Sequence, residues 1–169
     1  MLIDARVVAK SSAIALIALA SATLGSGAQK PVFSDFPTPV VAKKNPPAKP
    51  LLRTSIQRRF EAQIRSQAVL PPNFAGHYRI AEWGCGSSCV SIAVINLENG
   101  EVSDGPFKLL GYGRAYKYEG GSDALEYRVW SRLLVARGCP EDKNCGTYYY
   151  EWKDGHFDRI RFVVHGPLL

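Results

Sequence analysis

No apolar stretch in this chain is built like a membrane span. The run Ala13 to Ala20 consists only of Ala, Ile and Leu, but a helix needs roughly 20 apolar residues to cross a bilayer. Histidine is scarce. His77, His156 and His165 are the only three, and their spacing forms no metal-binding cluster. No serine sits in Gly-x-Ser-x-Gly, and Ser87 and Ser88 have no triad partners placed by the sequence. The carboxylates stand in no pairing that would push their pKa values apart. His77 and Glu82 fall on opposite faces of one candidate strand, so a couple between them would need a bulge. These absences set catalysis aside, and no cofactor is called for.

What the N-terminus does have is Arg6 and Lys10, then the short apolar run, then small residues. That order reads as a secretory leader over residues 1–28, with Ser26 and Ala28 allowing cleavage before Gln29. Ala20 and Ala22 offer an earlier site, and an uncleaved anchor is the competing reading. No cysteine follows either site, which speaks against a lipid anchor. The mature protein is therefore expected to be periplasmic or secreted, in an oxidising compartment where paired cysteines become disulfides.

The formal charge of +6 is unevenly spread. Between Lys30 and Leu70 eight basic residues stand against Asp35 and Glu61, whereas Pro71 to Leu169 holds 11 basic and 12 acidic residues. The folded part is near neutral, so nucleic acid is not an expected partner. The basic segment, residues 30–65, is either a solvated leader of the mature chain or a weak contact for an anionic membrane surface.

Six prolines crowd residues 31–50, so residues 29–52 read as a basic, proline-rich linker of extended character. Ile56, Phe60 and Ile64 then recur every four residues, predicting an amphipathic helix over 54–67, capped by Thr54 or Ser55 and ended by Pro71 and Pro72. Its narrow apolar stripe suits docking on a domain.

Beyond Pro72 the period changes to two. Tyr78, Ile80 and Glu82 alternate with Arg79, Ala81 and Trp83, and short strands follow with turns at Asn99-Gly100 and Asp154-Gly155. The predicted class is mainly β: one domain over 53–169, an antiparallel meander-type sheet or partly closed barrel with one N-terminal amphipathic helix, stapled by disulfides. In the last hairpin Tyr148, Tyr150 and Trp152 share a face and are expected to meet Ile160, Phe162 and Val164 across a core. Inverted, the same face would be an exposed platform for carbohydrate stacking.

Four cysteines permit three pairings. Cys85 with Cys89 and Cys139 with Cys145 are preferred because each pair brackets turn-like residues, although crossed pairings stay open. Such short loops stabilise by about 2 kcal/mol each in the chain-entropy model. Only the first pair has metal-like spacing, and the strand pattern after Cys89 lacks the helix N-terminus that would activate a thiol.

The motifs Asn-Phe-Ala-Gly-x-Tyr from Asn73, Trp-Gly-Cys-Gly-x-x-Cys from Trp83, Ser-Arg-Leu-Leu-Val from Ser131 and Tyr-Tyr-x-Trp from Tyr149 resemble a group of uncharacterised small exported bacterial proteins, mostly Gram-negative. The likeness runs from about Arg53 to Phe157. It implies export and a β architecture, and carries over no catalytic residue.

The functional expectation is a noncatalytic envelope binding module whose partner is a protein or envelope component. Its candidate ligand residues are His77, Trp83, Gly84, Ser87, Ser88 and Arg132, because Gly-Cys-Gly-Ser-Ser-Cys offers backbone donors in a closed loop. A thiol–disulfide protein using Cys85 and Cys89, and a hydrolase inhibitor presenting the Cys139 to Cys145 loop, are the alternatives.

Overall fold

The computed structural model describes residues 29–42, 47–112, 123–141 and 143–164. The leader read over 1–28, residues 43–46 of the proline-rich stretch and His165 lie outside them. Eight antiparallel strands form one open sheet: β1 (Tyr78–Gly86), β2 (Cys89–Asn96), β3 (Val102–Asp104), β4 (Leu110–Gly111), β5 (Leu125–Tyr127), β6 (Leu133–Pro140), β7 (Gly146–Lys153) and β8 (His156–Val164). The order is β1-β2-β4-β6-β7-β8, with β3 added to β2 and β5 added to β6. The mainly β, antiparallel expectation therefore holds, and so do both preferred cysteine pairs, Cys85–Cys89 and Cys139–Cys145.

Two half-sheets can be distinguished, β1-β2-β3 and β5-β6-β7-β8. Among the described residues they are joined by β4 alone. Its two residues pair with Cys89 and Val90 on one side and with Cys139 and Pro140 on the other. Cys89, Gly111 and Cys139 thus lie in one row across the sheet, so both disulfides flank the splice.

Alternation assigns the faces. On one face Ile80, Val90, Ile92, Val94, Leu110, Leu134, Ala136, Tyr148, Tyr150 and Trp152 form a single core closed by Phe74 and Phe107. Tyr148, Tyr150 and Trp152 are only 4, 6 and 3% exposed, so this aromatic row is packing and offers no stacking platform. The partner strand departs from expectation. Tyr149 pairs with Arg161 but Tyr150 with Arg159, so Ile160 is bulged out, and Ile160, Phe162 and Val164 are 40, 38 and 71% exposed. Phe162 and Val164 keep the register of Tyr148 and Gly146 and are exposed on the edge strand; on the other side of the bulge the alternation is shifted by one residue, and Phe157 takes the core position against Trp152, with ring centroids 4.8 Å apart. Phe162 keeps an edge contact with Tyr148.

The other face is covered from outside. The predicted helix is present but broken into α1 (Ser55–Arg59) and α2 (Glu61–Ala68) at Phe60, whose φ of −107° and ψ of 28° leave the helical region. Thr54 and Gln57 form a reciprocal capping box. Ile64 and Ala68 pack on Ala81, Ala93, Ile95 and Val102, and Phe60 packs beside them. The half-sheet β6-β7 is covered by the proline-rich stretch. Read as a spacer, it lies instead along the domain: Phe33 and Phe36 pack on Leu133, Val135 and Tyr149. Ser131 Oγ donates to Phe33 O at 2.8 Å, and Arg132 N–H donates to Phe36 O at 2.9 Å. Prolines hold such an arm extended at low entropic cost, and the two aromatic contacts together with these hydrogen bonds dock it.

Phe33→Ala or Phe36→Ala should each lower the unfolding free energy by about 1–3 kcal/mol, less than a fully buried ring because both are half-buried; urea denaturation measures this, and two unchanged midpoints would show that the arm contributes nothing. Burial also pushes Tyr150 up to about 12 from its ordinary 10.0. The folded state then keeps a proton that the unfolded chain releases, so stability is fully present below about pH 10 and falls as pH rises toward 12. Melting temperatures across that range should drop steeply, and less steeply in Tyr150→Phe.

Candidate functional site

The six residues expected to form one rim are distributed over three places. His77 and Arg132 do meet, in a polar cleft of about 490 Å³ with Thr38, Glu151 and Asp154. Both side chains have partners: Arg132 Nη2 is 2.9 Å from Glu151 Oε1 and its Nη1 donates to Pro37 O, while His77 Nε2 lies 3.7 Å from Glu98 Oε2. Gly84, Ser87 and Ser88 belong to the β1–β2 tip closed by Cys85–Cys89, where Ser88 O accepts from Tyr112 N–H at 2.8 Å. That tip lines neither this cleft nor the next. Trp83 lies on the far face of β1, under the helix, with its ring 4.7 Å from that of Phe60 and nearly parallel to it.

Trp83 lines a larger cleft, of about 690 Å³. The cause is local and topological. Along its outer edge β2 pairs with β3 through residues 93–95 and with β4 through residues 89–90. Between those ladders, at Ser91 and Ile92, the chain from Gly105 to Lys108 stands off the sheet and leaves a notch facing α1. Ile56, Trp83, Ile92, Pro106 and Phe107 supply apolar walls, and Asp104, Lys108 and Glu141 supply charge at the margins.

The polar wall is held by internal bonds. Ser91 Oγ donates to Lys108 O at 2.8 Å. Gly105 N–H donates to Ile92 O at 3.1 Å. Asp104 Oδ1 accepts from Gln57 Nε2 at 2.8 Å and from Thr54 Oγ1 at 3.3 Å. Glu141 Oε1 accepts from Lys108 N–H at 2.7 Å. A side chain at Gly105 would run into Ile92, its Cβ 2.9 Å from the Ile92 carbonyl oxygen, which explains glycine at that corner.

One group in the wall is not held. Trp83 is 7% exposed, and its Nε1–H has no hydrogen-bond partner among the described residues. Leaving a buried donor unmatched costs about 1–3 kcal/mol. Phe would fill less of the space but would bring no unmatched donor, so the indole N–H is the costly part of this side chain.

Elsewhere, Tyr127 O–H donates to Glu82, tying β5 to β1 across the concave side, and burial followed by that bond raises the phenol's pKa. The Cys139–Cys145 loop is tied back to the sheet by Glu141 N–H, which donates to Leu109 O at 3.1 Å. Strands flank both cysteine pairs. No helix among the described residues is long and apolar enough to cross a membrane.

No family model, no curated protein and no solved structure matches the chain. Sequence reasoning found Trp83 but missed Ile56, Asp104, Phe107, Lys108 and Glu141. One signal was present: "SDGPFKLL" places a phenylalanine directly after a Gly-Pro pair, where a strand cannot continue and a loop must carry a large apolar side chain.

Trp83→Phe should leave stability within about 1 kcal/mol of wild type, because lost contact area is offset by removing the unmatched donor, whereas Trp83→Ala should cost about 3–5 kcal/mol. Equilibrium urea unfolding of both variants distinguishes this from an indole N–H that is satisfied in solution, for which Phe would be clearly destabilising.

Proposed function

We propose that the protein is an exported, disulfide-stabilised, noncatalytic binding module, and that its ligand seats in the cleft beside Trp83. The observation that carries this reading is the cleft itself: about 690 Å³ falls within the range of about 300–1,000 Å³ usual for small-ligand sites, and its lining of apolar walls with a few polar groups has their usual composition. The ligand class that matches is amphipathic. An apolar body would lie against Ile56, Trp83, Ile92 and Phe107, and polar atoms would face Lys108, Asp104 and Glu141. A binding role is favoured over a reaction because the carboxylates and the hydroxyl in this wall are engaged in bonds that hold the wall together. Export is supported by the leader-like N-terminus together with two disulfides, which persist in oxidising compartments. The natural ligand would then be an amphipathic component of the cell envelope.

The test uses the chain from Gln29 onward and a neutral, apolar fluorescent probe, N-phenyl-1-naphthylamine. Saturable binding with one site per chain is expected. Ile56 is part exposed at the cleft mouth, so Ile56→Arg should leave the fold intact while weakening the probe about tenfold, equivalent to about 1.4 kcal/mol. Absence of saturable binding, or equal affinity in the variant, would reject the cleft as the site.

A further inference from the structure

We infer that the Cys139–Cys145 disulfide is the positioning element of the Trp83 cleft, so that ligand binding there depends on its redox state, while Cys85–Cys89 serves the opposite hairpin tip. This rests on the cleft being the binding site. The cleft wall formed by residues 105–108 has no strand of its own. It is moored on one side to β2, through Gly105 N–H to Ile92 O and Ser91 Oγ to Lys108 O. On the other side its mooring is the β6–β7 tip, where, next to the β4–β6 ladder, the described bonds run through Glu141: its N–H donates to Leu109 O and its Oε1 accepts from Lys108 N–H.

Glu141 stands inside the ring closed by Cys139 and Cys145, whose Cα atoms are 4.1 Å apart. Its φ is +49°, and that of Asn144 in the same ring is +41°. Residues with a Cβ seldom adopt this left-handed region, and they persist in it where their surroundings over-determine the backbone. Here the surroundings are the covalent ring, the Lys143 N–H bond to Pro140 O and the Tyr148 hydroxyl's bond to Asn144 O. Opening the ring removes the strongest of these constraints. Glu141 is then free to relax toward ordinary φ, and such a rotation carries its carboxylate away from Lys108 N–H.

The step is a two-electron reduction. A dithiol donor is oxidised to its own disulfide, its two protons end on Cys139 and Cys145 sulfurs, and the protein S–S bond is broken. Cys85–Cys89 closes the β1–β2 turn around Ser87 and Ser88, which lie outside the cleft, so its loss leaves the wall moored.

The probe titration described above is repeated on four variants, with amide hydrogen exchange at Lys108 as a second readout. Cys139→Ser/Cys145→Ser should weaken the probe about tenfold and speed Lys108 exchange at least tenfold. Cys85→Ser/Cys89→Ser should stay within about threefold of wild type in both. Glu141→Ala should reproduce both losses with both disulfides intact, whereas Glu141→Gln, which keeps an acceptor oxygen for Lys108 N–H, should hold Lys108 exchange within about threefold of wild type. If the first double variant fails to fold, the two Glu141 variants and wild type treated with dithiothreitol decide the matter. Unchanged affinity and exchange in Glu141→Ala would overturn the inference and leave the binding reading standing. Failure of the oxidised wild type to bind the probe at all would sink the binding reading, and this inference with it.

Discussion

The fold depends on a splice two residues long. Leu110 and Gly111 are all that connects the ladder of β2 to the ladder of β6, and a sheet joined over so short a register would open easily if nothing else clamped it. The clamp has three parts. Leu110 is fully buried in the shared core. Gly138 lets β4 approach β6 closely, since a Cβ there would strike Gly111 O and come within 2.9 Å of Leu110. A disulfide-closed hairpin tip lies on each flank, with Cys89 and Cys139 opposite Gly111. Short covalent loops add little to global stability, and their effect here is local, shaping the two hairpin tips that flank β4.

Burial on both faces follows from this arrangement. A curved sheet of this size buries one side in its own core, and the aromatic row Tyr148, Tyr150 and Trp152 supplies most of that side's mass. Its outer side then needs cover, and two unlike elements provide it. The helical pair shields β1 and β2, while an extended arm carrying Phe33 and Phe36 shields β6 and β7. The notch between β3 and β4 is only flanked by α1, through Ile56, and the cleft lies there. Strand pairing that changes partner partway along β2 therefore creates both the weakest point of the sheet and the cleft beside Trp83.

Local patterns were legible wherever one contact range set the outcome. Apolar residues every four positions marked the helix, although nothing in that spacing shows the break between α1 and α2 at Phe60, the residue that stacks on Trp83. Alternation correctly turned Tyr148, Tyr150 and Trp152 inward. It failed one strand later at Ile160, where a bulge shifts the phase by one residue, and no periodicity reports an inserted residue in advance. The proline-rich arm was misjudged for a related reason: composition describes stiffness and reach, whereas docking depended on two phenylalanines finding Leu133, Val135 and Tyr149 about 100 positions away.

The candidate site divides in the same way. Trp83 was conspicuous in the sequence, but the rim drawn around it joined residues that are neighbours in the chain and not in space: His77 and Arg132 share one cleft, and Ser87 and Ser88 sit at a hairpin tip. By itself the sequence determined the fold class, the helix and the turns, and favoured the pairing of cysteines across short turns that the structure then fixed, since periodicity, capping and loop length are properties of contiguous residues. Only the tertiary structure decided which side chains face one another in the cleft. Ile56, Trp83, Ser91, Phe107 and Glu141 come from five separate segments, and they meet because the chain from Gly105 to Lys108 is moored to β2 on one side and, through Glu141, to the β6–β7 tip on the other.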